Sequence, residues 1–167
     1  LYPVIFQAIQ PSTSVFLVGG CVRDLLLGRE PQDIDLTLSD DVKKTSREIA
    51  NHFDGAVFSL DDERETMRVL VEFGNRKWKL DIALLRGGNL EEDLRTRDFT
   101  INAMALKLTG DGAFELIDIM GGQRSLEEKI IAACSSTALV DDPIRVLRGM
   151  RLALNFNMQL SLDVKQQ

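Results

Sequence analysis

Along the chain the spacing of apolar residues changes period several times, and each change marks an element. Val15-Phe-Leu-Val18 is a short apolar run stopped by Gly19-Gly20, which predicts a strand entering a tight turn. Residues 21–27 read as a short helix closed by Gly28. Asp33-Ile-Asp-Leu-Thr-Leu38 alternates strictly, as a half-buried strand does. Residues 39–53 carry helical spacing, with a cap at the start and Val42, Ile49, Ala50 and Phe53 inward. Residues 67–73 and 78–85 are β-rich and flank Gly74-Asn75, which predicts a hairpin. Residues 98–108 start polar and run into Ala103-Met-Ala-Leu106, so their class stays open. Residues 114–117 suggest another short strand, 125–133 a helix, and 142 to about 156 a longer helix. In the last, Ile144, Leu147, Met150 and Leu154 form the apolar stripe, and Ser161 reads as the cap of one more helix. The order predicts an α+β (mixed α/β) fold, with helices on one side of a mixed or antiparallel sheet and a helical extension at the end.

Composition narrows the class. The chain has 167 residues, 44% hydrophobic and 28% charged, which suits one globular domain or one with a small appendage. A chain of this length buries roughly two-thirds of its unfolded surface and needs no disulfide or metal to hold its core. The two cysteines, Cys21 and Cys134, make no disulfide framework and lack the paired spacing of a zinc site, and the single His52 excludes a multi-histidine centre. No apolar run approaches the ~18 residues of a membrane span, and the first residues lack the basic start of a signal peptide. The expectation is a soluble, intracellular domain with no membrane partner. A net charge of −6 argues against a generic basic nucleic-acid surface. The start at Leu1 and the close on a helix opening suggest a fragment or processed chain.

Against that background a few polar positions stand out. Residues two apart on a strand share a face, so Asp33, Asp35 and Thr37 line one side while Ile34, Leu36 and Leu38 enter the core. Adjacent carboxylates repel unless a cation lies between them or one is protonated. Oxygen donors of this charge suit Mg²⁺ with a substrate phosphate, although a solvated strand edge would look the same. Asp81 in the alternating segment Lys79-Leu-Asp-Ile-Ala-Leu84 becomes a third member if the two strands are neighbours, and an exposed strand acid if they are not. Three converging carboxylates are what two-metal phosphoryl or nucleotidyl transfer requires. Gly19-Gly20 opens a helix where backbone N–H groups favour phosphate, and Arg23 adds a charged fork. The run is neither a Walker A loop nor a dinucleotide fingerprint, so a plain strand–helix corner is the alternative. Arg95-Thr-Arg97-Asp98-Phe-Thr-Ile-Asn102 gathers two arginines, an acid and an amide. Asp142-Pro143 caps a helix that carries Arg145, Arg148 and Arg151 and no lysine, which points to phosphate contact over a merely solvated face.

Together, Leu17-Val-Gly-Gly-Cys-Val-Arg-Asp24, Asp33-Ile-Asp35, Arg97-Asp-Phe-Thr-Ile-Asn-Ala103 and Asp141-Asp-Pro-Ile-Arg-Val-Leu-Arg148 resemble the catalytic head of class II tRNA nucleotidyltransferases, the CCA-adding enzymes, a group that includes bacterial poly(A) polymerases. The resemblance implies a nucleotidyltransferase head over residues 1–138 and the start of a helical neck over 139–167. By the same likeness Asp33 and Asp35 hold Mg²⁺, Asp81 is the third catalytic carboxylate, and Gly19, Gly20 and Arg23 meet the triphosphate. Arg97, Asp142, Arg145, Arg148 and Arg151 match nucleotide-binding or site-organising positions. The implied substrates are CTP and ATP and the 3′ end of tRNA, gripped largely through body and tail regions, in the cytoplasm or in an organelle after loss of a transit peptide. The family's base-selecting E-D-x-x-R pattern does not follow Arg151. CCA, CC-only, A-only and poly(A) addition stay open, as do the oligomeric state and, from another class, a non-catalytic nucleotide-binding module.

Overall fold

In the computed structural model, which describes residues 1–9, 13–108 and 113–167, the chain opens with α1 (Tyr2–Gln7) and β1 (Val15–Val18). It turns through Gly19 into α2 (Gly20–Leu26) and continues as β2 (Asp33–Leu38), α3 (Val42–His52), β3 (Ala56–Asp61), β4 (Thr66–Phe73) and β5 (Arg76–Leu84). A 3₁₀ turn at Arg86–Gly88 leads to α4 (Leu90–Arg95), and a second at Thr100–Asn102 to β6 (Ala105–Leu108) and β7 (Phe114–Ile117). The rest is α5 (Gly122–Glu127), β8 (Ile130–Ile131), α6 (Ala138–Asp141), α7 (Ile144–Phe156), β9 (Gln159–Leu160) and α8 (Leu162–Gln166).

Seven strands form one mixed sheet in the order β3-β4-β5-β2-β1-β6-β7, with β2 and β5 parallel and the other pairs antiparallel. Alternation decides which side chains meet which layer. Leu17, Ile34, Leu36, Val69, Leu80 and Ile82 point to one face and are buried against Ile5 of α1, Cys21 and Val22 of α2, and Val42 and Ile49 of α3. On the other face Phe16, Val18 and Ala105 pack with Leu85 and Leu94, so α4 covers the β1/β6 half. A third cluster joins Phe99 and Ile101 to Ile131, Leu139, Leu152, Met158 and Val164, fastening α7 and the small β8–β9 pair beside the second 3₁₀ turn.

Several expectations need adjusting. The helix expected from residue 39 starts at Val42, because Asp41 takes the cap and accepts a hydrogen bond from Lys44 N at 2.9 Å. The helix expected over 125–133 lies at Gly122–Glu127. Asp118 accepts from Gly122 N and Gln123 N and so starts it early, Lys129 turns left-handed (φ 55°), and residues 130–131 pair as a strand. The stripe of α7 does not face the core. Leu147 and Leu154 are 66% and 83% exposed, Ile144 and Met150 are exposed as well, and the helix buries Gly149 and Leu152 instead. Helix α1, strand β3 and helix α4 were not expected. The hairpin β4–β5, strand β7 and the helix closed at Gly28 (φ 66°) form where the pattern places them.

Candidate active site

Parallel pairing of β2 with β5 sets Asp35 opposite Asp81 and Asp33 opposite Lys79, so the three aspartates share one sheet face on adjacent strands. Each meets a different environment. Asp33 pairs with Lys79 at 2.9 Å. Asp81 accepts from Arg68 Nε and Nη2, both at 2.6 Å, in a bidentate pair. Asp35 has no salt-bridge partner among the described residues. Burial, and next the charge of Asp81, push its carboxyl up to about 6, with Arg97 pulling the other way. Gly19, at φ 76°, lets the chain turn here: a Cβ at that position would lie 3.2 Å from both Asp35 Oδ2 and Arg97 Nη1.

The walls come from three further elements. Arg23, almost fully buried, donates Nε and Nη2 to Asp24 Oδ1 (2.9 and 2.8 Å) and Nη1 to Asn102 Oδ1 (2.6 Å), and its guanidinium lies 4.3 Å from the Phe156 ring centroid. Arg97 donates Nε and Nη2 to buried Asp93 Oδ2 at 3.0 and 2.7 Å. Asp98 Oδ1 accepts from Phe99 N (2.7 Å) and Asn102 Nδ2 (3.2 Å), and Oδ2 pairs with Arg148 Nη2 at 3.0 Å. Arg145 reaches back to the carbonyls of Ala138 and Thr96 at 3.3 and 3.2 Å. These groups, with the β3–β4 turn and Arg86, enclose an open cavity of about 870 Å³ beside Asp35. Six of its lining residues are arginines, Arg23, Arg64, Arg86, Arg97, Arg145 and Arg148, and none is a lysine.

Of the residues marked in the sequence, Asp33, Asp35 and Asp81 share one sheet face on adjacent strands, and Gly19, Gly20, Arg23, Arg97, Asp142, Arg145 and Arg148 line the cavity with Asp35. Arg151 is exposed and does not line it, lying one helical turn beyond Arg148. Asp93, Arg64, Arg68 and Arg86 were missed. Arg68 was within reach: a hairpin turning at Gly74-Asn75 pairs residue 68 with 81, which is the observed register. Arg86 and Arg64 lie in a turn and a loop with no period to betray them.

Among the described residues no three His, Cys, Asp or Glu side chains converge as a ready metal cluster, while Lys79 and Arg68 occupy Asp33 and Asp81. The donor chemistry nonetheless fits a hard divalent cation. The donors are all carboxylate oxygens, and Asp35 has a charge whose burial a cation would relieve.

Comparison with known proteins agrees with this geometry. The family model described as the poly A polymerase head domain matches residues 15–132. A CC-adding tRNA nucleotidyltransferase of Geobacter sulfurreducens is 38% identical over 145 residues, 87% of this chain and 33% of that protein. A solved CCA-adding enzyme in an apo form superposes with a TM-score of 0.87 at 31% identity, covering 99% of this chain and 40% of that one. A tRNA nucleotidyltransferase solved with a primer tRNA and an incoming ATP analog gives 0.84 at 33% identity, covering 98% and 48%. The chain therefore spans about a third of the length of the curated relative and under half of the solved ones.

Proposed function

The chain belongs to the tRNA nucleotidyltransferase and poly(A) polymerase head family, and from that premise we propose that it is the catalytic head of an enzyme adding CMP and AMP, from CTP and ATP, to the 3′ end of tRNA. Residues 1–138 form the head in this reading, and 139–167 begin the helical neck. The observation that carries it is the register of Asp35 against Asp81, beside a Gly19-Gly20 turn and an arginine-lined cavity. CC-only addition is the second reading, favoured by the CC-adding relative.

Asp33 and Asp35 would hold Mg²⁺, which when bound lowers the pKa of the attacking hydroxyl and offsets charge on the leaving oxygen. The protein's own share is placement. The backbone N–H of Gly20 at the glycine turn and the guanidinium of Arg97 receive the triphosphate, while Asp93 fixes the angle of Arg97. Arg23, with three of its five N–H groups given to Asp24 and Asn102, holds α2 against the second 3₁₀ turn as well as lining the cavity. Arg148 tied to Asp98, and Arg145 tied to backbone carbonyls, set the far wall. The primer's 3′-oxygen bonds to the α-phosphorus, the bond to the β-phosphate oxygen breaks, and pyrophosphate leaves with that electron pair. The hydroxyl proton passes to water or to a carboxylate of the site.

The test is full-length protein incubated with tRNA ending before, within and after each step of CCA, one labelled nucleotide at a time. CMP followed by AMP supports CCA addition, and CMP alone supports the second reading. Asp33→Ala and Asp35→Ala should each abolish incorporation with the fold intact by circular dichroism. No incorporation by the wild type, or wild-type turnover by the double variant, would overturn the assignment.

A further inference from the structure

The half of the catalytic sheet face that α4 leaves bare has a chemistry of its own. Register carries one row across the sheet from Asp35 through Asp81 and Arg68 to Phe58, and a neighbouring row from Asp33 through Lys79 and Leu70 to Ala56. Phe58 and Leu70 are 43% and 39% exposed. At roughly 4.8 Å per strand, Phe58 stands about 10 Å from Asp81. Arg68 spends Nε and Nη2 on Asp81, and its Nη1 makes no hydrogen bond among the described residues.

The groups assigned above to the triphosphate, the glycine turn at Gly19-Gly20 and Arg97, lie on the β1 side of Asp35, while Arg64 and Arg86 line the cavity from the β4 and β5 side. Displacement at phosphorus sets the attacking and leaving oxygens roughly in line. A pyrophosphate leaving beside Gly19-Gly20 is therefore displaced by a hydroxyl arriving from above β5 and β4. Resting on the function given above, we propose that the face bearing Phe58, Leu70 and Arg68 is the platform for the single-stranded 3′ end of the RNA primer. Phe58 stacks an unpaired base, Leu70 supports its apolar flank, and Arg68 meets a backbone phosphate next to the carboxylates. An aromatic platform beside a guanidinium is how single-stranded nucleic acids are held without sequence readout.

The test uses the 167-residue chain with a six-nucleotide RNA ending in CC that carries 5-iodocytidine at the penultimate position. Irradiation at saturating RNA should give an adduct that mass spectrometry maps to Phe58. Phe58→Ala should weaken RNA binding by about tenfold and Phe58→Trp should restore it, with Mg·CTP affinity measured alongside by calorimetry. Adducts confined to α7, or none at all, would overturn the proposal, as would RNA binding indifferent to Phe58→Ala. Strand β3 is a sheet edge, so a second copy is the other occupant to exclude. A dimer that Phe58→Ala dissociates, with RNA binding unchanged, also overturns it. If CTP binds and no Phe58 adduct forms, only this platform falls. If a Phe58 adduct forms and CTP does not bind, the platform stands and the nucleotidyltransferase reading fails.

Discussion

Asp35 lacks, among the described residues, the ion pair that both its neighbours have. Asp33 and Asp81 each pair with a cationic side chain, whereas Asp35 is half-buried beside Asp81, and its carboxyl is pushed up to about 6 from 3.8. Because the folded value lies above the unfolded one, the folded chain binds this proton more tightly. The stability so gained is complete below about pH 4 and is lost as pH rises through about 6, a loss of at most roughly 3 kcal/mol. Asp35→Asn removes the buried charge while keeping the shape. With divalent cations chelated, the variant should melt several degrees above the wild type at pH 8, and the gap should narrow at pH 5.5. Equal melting at pH 8 in a scanning calorimeter would show that Asp35 is not electrostatically strained. The three aspartates were legible in the sequence because a period of two fixes the face of a strand. Of their partners, Arg68 follows from the register of the β4–β5 hairpin, whereas the pairing of Lys79 with Asp33 depends on β2 and β5 becoming neighbours.

At the scale of elements the lesson concerns helix α7. Its arginines were legible, but the apolar stripe of Ile144, Leu147, Met150 and Leu154 led to the wrong buried face. Periodicity marks a stripe without saying what it meets. Here the contact is made by the smallest side chain: a Cβ on Gly149 would lie 2.8 Å from Phe99 Cζ, and Phe99 is fully buried. Gly→Ala inside a helix normally stabilises by about 1 kcal/mol. Against an immobile ring, overpacking costs about 1–3 kcal/mol. Gly149→Ala should therefore leave the chain less stable by about 1 kcal/mol, and it should weaken Mg·CTP binding because Arg148 is held to Asp98 from the same helix. A raised melting temperature with unchanged affinity would show that α7 does not rest on Phe99. The parallel pair β2–β5 was equally hidden, because alternation in each strand is blind to the crossover through α3 and the β3–β4 hairpin that brings them side by side.

For the whole molecule, net charge is a poor guide to how charge is arranged at the site. The sum of −6 is that of an acidic protein, yet six of its arginines and no lysine line one cavity. Six acids line it as well, Asp35, Glu63, Glu65, Asp98, Asp141 and Asp142, so the formal charges there cancel. A composition sum cannot reveal that arrangement, because it depends on the fold bringing the β3–β4 turn, the second 3₁₀ turn and α7 to one rim. The balance has a measurable consequence. A nucleoside triphosphate alone brings several negative charges to a formally neutral cavity that includes the carboxylate of Asp35, whereas a divalent cation held there would offset charge on both. CTP with EDTA should therefore shift the melting temperature little. CTP with MgCl₂ at about a hundred times its dissociation constant should stabilise by about 2.7 kcal/mol, or roughly 5–10 °C for a domain of this size. The shift should survive moderate salt, since paired and partly buried charges are screened less than exposed ones. An equal shift in EDTA would mean that the arginines alone hold the nucleotide and that the carboxylates play no part in binding it.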